Sequence, residues 1–325
     1  MLLRLFLLNG GCVNIWSYVI RRLLYTVPII LGVCLIIFII FNLSGYDPAQ
    51  ILLGKHATAK QIAEVRAELG LDKPLIEQYF DIVKSAFTFD FGRSWASKQD
   101  IIEMIKEGAV PSLTLTFPAF LISTVISILL SLLVAFFRGT FIDKAVVVKC
   151  VGMMSIPSLA YILFFQYFFA YEMGWFEISG YEHGFPNFIP YVSLPIIIMV
   201  IISLGPDLRY FRTVILDDIY QDYVRTARAK GLTEKVVLLK HVLKNSMIPI
   251  ITYVVIQLPF LILGTLLLES FFSIPGLGGL TVKAVFDNDF PVIKAMTILS
   301  AMAYVIFTVI TDILYTVVDP RVRLK

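Results

Sequence analysis

Charged residues, cysteine and histidine are all scarce in this sequence of 325 residues. Charged side chains make up 16% of it, hydrophobic side chains make up 58%, and the mean hydropathy is +0.84. Because a soluble domain carries about 25% charged and 45–50% apolar residues, this composition excludes an ordinary soluble protein and a disordered chain. The three cysteines lack the spacing of a metal site. A net charge of +3 is too small to indicate a protein that binds nucleic acid.

The sequence also lacks the motifs of ATP hydrolysis and metal catalysis. No Gly-x-x-x-x-Gly-Lys-Ser/Thr loop occurs, so this chain has no phosphate-binding loop of its own and cannot be an ATPase. The three histidines, His56, His183 and His241, are scattered between the apolar stretches, which excludes a histidine cluster. We therefore expect no enzymatic activity, no metal site and no cofactor bound by this chain itself.

Long apolar stretches dominate the sequence instead. A helix needs about 20 apolar residues to cross the hydrocarbon core of a bilayer, and six stretches reach that length. They cover residues 23–44, 112–137, 150–171, 184–206, 245–268 and 295–318. We predict an all-α polytopic membrane protein with six transmembrane helices.

The positions of lysine and arginine predict which connections face the cytoplasm, because short cytoplasmic connections are rich in these residues. Eight of them lie between Arg209 and Lys244. The connection after the third span instead carries Glu172, Glu177 and Glu182 and no base. We therefore expect both termini to be cytoplasmic.

These boundaries divide the chain into segments outside and inside the membrane. We predict an N-terminal cytoplasmic or interfacial segment (1–22), a first span (23–44), an external helical insertion (45–111), a core of five spans (112–319) and a cytoplasmic tail (320–325).

Within the insertion, Thr58 and Gln61 form a capping-box pattern, and Gly70 suits the end of that helix. Leu75, Tyr79, Ile82 and Val83 form an apolar stripe on a second helix. We expect these helices to cover the outer mouth of the bundle.

The connection between the fourth and fifth spans, residues 216–245, is the most informative part of the sequence. One continuous helical face is formed by Leu216, Ile219, Tyr220, Tyr223, Val224 and Ala227. Gly231 can then take the positive φ that reverses the chain after a helix. Thr233 is a suitable N-cap for a second helix, whose apolar face comprises Val236, Leu239, Val242 and Leu243. Such a pair of helices could fit a groove on another protein or lie on anionic lipid as an interfacial linker.

Several motifs along the chain resemble those of the B-type permease subunits of peptide and nickel ATP-binding-cassette importers, the oligopeptide and dipeptide group. The segment Tyr223-Val-Arg-Thr-Ala-Arg-Ala-Lys-Gly231-Leu232 resembles the loop through which such permeases contact their ATPases. Further motifs in the same order are Asp90-Phe91-Gly92, Ser155-Ile156-Pro157-Ser158, Pro275-Gly276-Leu277-Gly278 and Asp319-Pro320-Arg321.

The resemblance implies a type I importer permease-like fold in a bacterial or archaeal inner membrane, surrounded by lipid, with a cytoplasmic coupling helix. It implies a second homologous permease subunit of the C-type, two subunits that bind ATP and Mg, and an external solute-binding protein. The implied solute is a short peptide, or else a nickel or metal chelate or glutathione. The implied ATPase-coupling residues are Tyr223, Arg225, Ala227, Arg228, Lys230, Gly231, Leu232, Thr233, Glu234, Val236, Val237, Lys240 and Leu243.

Two further sets of residues are candidates for the transport path. The glycine-rich bend after the fifth span suggests an outer gate formed by Glu269, Phe272, Pro275, Gly276, Leu277 and Gly278, although a plain turn explains it equally well. Polar residues within the spans that could line a path are Ser127, Ser131, Gln166, Gln257 and Ser300. Small polar residues more often pack helices together.

An ion-coupled secondary transporter, or another membrane protein unrelated to these importers, is the alternative. Such transporters usually need ionisable groups inside the membrane, and the six predicted spans contain almost none.

Overall fold

The computed structural model describes residues 15–43, 48–53, 57–68 and 70–318. These residues form helices joined by turns, with one isolated β-bridge between Arg93 and Asp100. Four of the helices are long and apolar enough to cross a membrane, and two bent helix pairs bring the total to six if each pair is one span. The prediction of an all-α polytopic fold is confirmed. Most of the predicted N-terminal segment, and the tail with its Asp319-Pro320-Arg321 motif, lie outside the described residues.

The helices follow one another in this order. The first half contains α1 (Ile15–Leu43), α2 (Pro48–Leu53), α3 (Ala59–Glu68), α4 (Leu75–Thr88), α5 (Ile101–Phe136), α6 (Phe141–Ser155) and α7 (Ser158–Phe165), which a π-helical segment extends over Gln166–Glu172. The second half contains α8 (Ile189–Ile219), α9 (Asp222–Ala229), α10 (Glu234–Val236), a π-helical segment Val237–Val242, α11 (Leu243–Ile256), α12 (Leu258–Leu263), α13 (Leu266–Phe271), α14 (Leu277–Phe286) and α15 (Phe290–Val318).

The helix that contains the second predicted span begins at Ile101, eleven residues before that span. The Asp100 carboxylate caps α5 by accepting a hydrogen bond from the amide of Ile102 at 2.8 Å. From there α5 runs for 36 residues, about 54 Å at 1.5 Å per residue, which exceeds a hydrocarbon core of about 30 Å. Residues 101–111 of the predicted insertion are therefore the first three turns of the helix that also contains the second predicted span.

The third predicted span is sharply bent. Helices α6 and α7 meet at 89°, and Pro157 lies at the break as the residue before α7. Proline has no amide hydrogen to donate and disfavours a helical conformation in the residue before it. Ile156 is accordingly extended, with ψ of 126°.

The centre of the bundle is formed by α5 and α8, which pack against each other more extensively than any other pair of helices described here. Helix α8 begins at Ile189 and continues to Ile219, past the end of the predicted span at residue 206. It joins two buried apolar clusters, one around Ile198 and one around Ile215. Because α8 passes through both clusters, this one helix connects the two ends of the bundle.

The insertion helix α4 packs beside the first span, which differs from the expected cap over the outer mouth. The Tyr79 hydroxyl donates a hydrogen bond to the carbonyl of Leu31, near the middle of α1, at 3.1 Å. Ala86 is buried in a cluster with Cys34 and Ile37 of α1. The predicted apolar stripe of α4 explains this position, because Tyr79, Ile82 and Val83 pack against apolar side chains of α1.

Candidate functional site

The predicted coupling loop consists of three helical pieces rather than two. Helix α8 ends at Ile219, α9 covers Asp222–Ala229, and the third piece begins at Glu234 and runs through the π-helical segment into α11. The predicted continuous helix over residues 216–227 is wrong, because Gln221 adopts an extended conformation with ψ of 153° and starts a new helix.

A buried apolar cluster, here called the loop base, fastens these pieces to the bundle. Its buried members are Leu132, Ala135, Ile215, Ile219, Val224, Ala227, Val237, Leu238 and Val242. They come from the end of α5 and from all three pieces of the loop, which are the end of α8, α9 and the segment after Gly231. Burial of each large aliphatic side chain stabilises such a cluster by about 1.5–3 kcal/mol. A displacement of the loop therefore has to move the ends of these helices with it.

The Glu234 carboxylate connects the loop to the second span through two arginines. Arg228 of α9 donates hydrogen bonds from Nε at 3.1 Å and from Nη2 at 2.8 Å. Arg138, just beyond the end of α5, donates from Nη1 at 3.0 Å. All three side chains are about one-third exposed, so water screens these ion pairs less than it would screen fully exposed ones.

Gly231 forms the reversal between α9 and the third piece, as predicted for a helix end. Its φ is +78°, and its amide donates a hydrogen bond to the carbonyl of Arg228 at 2.9 Å. No other atom lies within 4 Å of the position that a Cβ would occupy. Glycine is therefore required by the backbone conformation and not by crowding.

The predicted coupling residues divide by exposure. Those at the surface are Arg225, Lys230, Gly231, Leu232, Thr233, Val236 and Lys240, those buried are Ala227 and Val237, and those between are Tyr223, Arg228, Glu234 and Leu243. Burial raises the pKa of the Tyr223 phenol, so this side chain is neutral at pH 7.

The predicted apolar face of the second helix is split in the structure. Val242 is buried in the loop base, but Val236 is 39% exposed and Leu239 is 59% exposed. A π-helical segment holds more residues per turn than an α-helix, so positions that an α-helix would align are rotated apart. Leu232 is also exposed, at 38%, and we call the exposed apolar side chains of Leu232, Val236 and Leu239 the apolar patch. The sequence analysis did not assign Leu239 to this surface.

The candidate outer-gate residues gather around Glu269, which is fully buried. Its carboxylate accepts hydrogen bonds from the Ser112 hydroxyl at 2.9 Å, the Thr265 amide at 2.9 Å and the Gly279 amide at 3.0 Å. The Ser112 oxygen in turn accepts a hydrogen bond from the Leu277 amide at 2.8 Å. One carboxylate thus joins the second span, the fifth span and the glycine-rich bend.

The glycines of this bend allow its close approach to Glu269. A Cβ on Gly276 would collide with the Glu269 carboxylate and the Ser112 hydroxyl. A Cβ on Gly278 would lie 2.8 Å from backbone atoms of Thr265 and Leu266. Phe272 and Leu277 are fully buried beside them, whereas Pro275 is exposed. A plain turn does not require this degree of packing.

No hydrogen bond of the described residues joins one candidate pathway residue to another. The hydroxyls of Ser131 and Ser300 donate hydrogen bonds to the carbonyls of Ile128 at 2.9 Å and Met296 at 2.6 Å, respectively. The Gln166 side-chain amide donates to the carbonyls of Ile178 at 2.9 Å and Phe271 at 3.1 Å. The Gln257 side-chain amide donates to Asp207 Oδ1 at 3.5 Å. Ser127 is buried with no partner for its hydroxyl among the described residues. Four of these five bonds go to backbone carbonyls, and those of Ser131 and Ser300 stay within the same helix.

Sequence analysis missed three buried carboxylates, those of Asp143, Asp207 and Asp289. Asp207 is 4% exposed within α8 and accepts a hydrogen bond from the Tyr253 hydroxyl at 3.0 Å. Asp143 of α6 pairs with Arg212 of α8, with Oδ1 2.6 Å from Nη2. The predicted fourth span ended at residue 206 because Asp207 ends the uncharged stretch. No turn residues follow Pro206, and this absence was the signal that α8 continues beyond it.

A surface cavity of about 1230 Å³ lies beside the glycine-rich bend. Its lining includes the charged side chains Lys106, Glu107, Glu269 and Lys283, together with His183. Among the described residues, no group of three or more His, Cys, Asp or Glu is placed to hold a metal ion. The cavity therefore offers charges of both signs to a small polar solute.

Two family models match the chain. One, described as "Binding-protein-dependent transport system inner membrane component", matches residues 127–324. The other, described as "Binding-prot-dependent transport system membrane comp, N-term", matches residues 15–116. Together they cover the first span, the insertion and nearly all of the core.

Several curated proteins are similar over almost their whole length. The glutathione transport system permease protein GsiC of Shigella flexneri serotype 5b (strain 8401) is 32% identical over 309 residues, which is 95% of this chain and 99% of the relative. The proteins of the same name from Salmonella typhi and Escherichia coli (strain K12) give the same identity and coverage.

Gly278→Ala should destabilise the protein, whereas Gly32→Ala should not. Alanine normally stabilises a helix relative to glycine, but a Cβ at Gly278 meets backbone atoms that cannot move aside, and overpacking costs about 1–3 kcal/mol. At Gly32 nothing lies within 4 Å. Thermal unfolding of the purified proteins checks this, and equal midpoints for the two variants would contradict it.

Proposed function

The chain belongs to the binding-protein-dependent transport system inner membrane components, and we propose that it forms one half of an import path for short peptides such as glutathione. It is a multi-pass permease subunit of an ATP-binding-cassette importer and not an enzyme. Such a system includes an ATPase and a binding protein.

The complete importer in this proposal contains two ATP-binding subunits, a second homologous permease and an external solute-binding protein. ATP and Mg are held by the ATP-binding subunits, since this chain has no phosphate-binding loop. Both termini are cytoplasmic, as is the loop of residues 216–245. The eight bases between Arg209 and Lys244 support this orientation.

The apolar patch of Leu232, Val236 and Leu239 carries the proposal for ATPase binding. Val236 and Leu239 of the patch flank Val237 and Leu238 of the loop base in sequence, so a protein bound there would contact a segment that is anchored to the bundle. Exposed bases, Lys235 and Lys240 among them, surround it. An apolar centre with a polar rim is the usual composition of a protein interface. A linker held only by lipid would not need the ion pairs of Glu234 with Arg138 and Arg228, which we call the Glu234 clamp.

Coupling follows from how the loop is attached. Closure of the ATPases on ATP displaces the reversal at Gly231. The loop base and the Glu234 clamp pass this displacement to α5 and α8, and the third piece passes it directly into α11. The bundle then alternates between inward-facing and outward-facing states.

The cavity beside the glycine-rich bend supports a peptide-like solute. A short peptide carries an ammonium and a carboxylate, and the cavity presents both acids and bases. The relatives named as glutathione permeases agree with this choice. A nickel or metal chelate remains the second candidate within the family.

Leu239→Asp should weaken binding of the ATPase subunits by at least about tenfold, because central apolar residues often contribute 2 kcal/mol or more to an interface. Phe286→Asp is the matched control, since Phe286 is 80% exposed on α14, away from the loop. Co-purification and binding titration with the ATPases measure the effect. Unchanged binding by Leu239→Asp would remove the patch from the interface.

Gly231→Val should reduce uptake per ATP hydrolysed by up to about tenfold, because a left-handed conformation costs an L-residue roughly 1–2 kcal/mol. Gly231→Asn should keep most of the coupling, since asparagine tolerates this conformation. Both side chains have room, so only backbone strain distinguishes them. Normal coupled uptake by Gly231→Val in proteoliposomes would count against a role of the reversal at Gly231 in coupling.

Reconstitution of the complete importer tests the solute. We expect glutathione or dipeptides, delivered by the binding protein, to stimulate ATP hydrolysis and to accumulate inside proteoliposomes. Stimulation by a nickel chelate alone would overturn the choice of solute and leave the permease assignment intact. Uptake that persists without ATPase subunits would instead favour an ion-coupled transporter.

A further inference from the structure

Helix α4 carries more apolar surface than its contact with α1 uses. Tyr79 and Val83 pack in one cluster with side chains of α1. Val83 shares one side of the helix with Ile76, Phe80 and Phe87, which together have the spacing i, i+4, i+7 and i+11. Ile76, Phe80 and Phe87 are 61%, 59% and 48% exposed. We call these three side chains the exposed row of α4.

The sequence of α1 determines its depth in the bilayer. Arg21 and Arg22 precede an uncharged apolar stretch that runs from Leu24 to Asn42. These 19 residues cover about 28 Å at 1.5 Å per residue, which is close to a hydrocarbon core of about 30 Å. The hydrocarbon core therefore ends near Asn42, on the side of the membrane where the insertion follows α1. We call this the insertion side.

The contacts of α4 place it below that boundary. The Tyr79 hydroxyl donates a hydrogen bond to the Leu31 carbonyl at 3.1 Å, and Leu31 lies about 16 Å along α1 from Asn42. Ala86 is buried in one cluster with Cys34 of α1. At this depth an exposed apolar side chain of α4 meets acyl chains or another protein, and not water.

The polar side of α4 shows how the helix is oriented. Glu77, Asp81, Lys84 and Thr88 follow one another at i, i+4, i+7 and i+11 and are all exposed. Asp81 pairs with Lys73 at 2.6 Å. A helix that crossed the bilayer would place these charges in hydrocarbon at a high cost. An amphipathic helix in the membrane plane instead keeps its polar side at the headgroups and its apolar side among acyl chains.

The surroundings of α1 favour lipid over protein as the contact of the exposed row. Among the described helices, α1 packs chiefly against α15 and α4, so it lies at the edge of the bundle. It leaves apolar side chains exposed, among them Ile36 and Ile40 at 58% each. The exposed row adds only aliphatic and phenyl groups to this surface, whereas a protein interface usually includes hydrogen-bonding groups.

We propose that α4 is an interfacial membrane helix, seated in the leaflet on the insertion side with its exposed row among the acyl chains. Its polar side lies at the headgroups. The bond between Tyr79 and Leu31 holds α4 at a fixed depth along α1. The insertion is thereby anchored to the bilayer as well as to the bundle.

Fluorescence quenching in the assembled importer tests this. Phe80→Cys and the matched control Lys84→Cys, one turn away on the polar side, each carry a bimane label in a chain whose three native cysteines are replaced by alanine. The complex is placed in nanodiscs of phosphatidylcholine brominated on its acyl chains. The label at residue 80 should lose most of its fluorescence to the brominated lipid and little to aqueous iodide. The label at residue 84 should show the reverse.

Equal iodide quenching at residues 80 and 84 would overturn the proposal, because the exposed row would then face water. Lipid quenching at residue 80 that is present in the isolated chain and lost on assembly with its partners would also overturn it, since a protein would then cover the row. Thermal unfolding checks that each labelled variant is folded. Phe87→Cys provides the same measurement on the exposed row if Phe80→Cys does not fold.

Discussion

A carboxylate buried inside a protein has no water to bind, so its partners must come from the protein itself. The fold meets this requirement at Asp143, Asp207 and Glu269. Asp143 is paired with an arginine of α8, Asp207 is bonded to a tyrosine of α11, and Glu269 receives backbone amides and a serine hydroxyl. Each of these contacts joins separate helices. Satisfying buried charge therefore also decides which helices are held together.

The two ends of the bundle use different physical means for different tasks. At the bend beside Glu269, glycines allow backbone, carboxylate and hydroxyl to pack without space between them, which produces a rigid junction. At the coupling loop, the space around Gly231 is open and the contacts are apolar burial plus one clamped carboxylate. The coupling that we propose needs this combination, because a loop that an ATPase displaces must have a firm base and an uncrowded tip.

Much of the fold could be predicted because apolar length and charge placement are local properties of the sequence. The six stretches, the glycine reversal at Gly231 and the capping pattern at Thr58 all depend on neighbouring residues; the Thr58 amide does bond to the Gln61 side chain at 3.0 Å. The importer family could also be predicted, because several motifs occur in order. The break at Gln221 and the exposure of Leu239 could not, since no local sequence pattern marks the extended Gln221 or the π-helical segment over Val237–Val242.

The sequence by itself determined the number of apolar stretches, the helical class and the position of the coupling loop, because hydrophobic length and turn chemistry act over short distances. Only the tertiary structure decided that Glu269 is buried, that α4 lies beside α1 and that Leu239 faces outward. These features depend on contacts between residues far apart in the chain, such as Ser112 with Glu269 and Tyr79 with Leu31. No local pattern contains those contacts, because they arise only when separate helices compete for the same buried space.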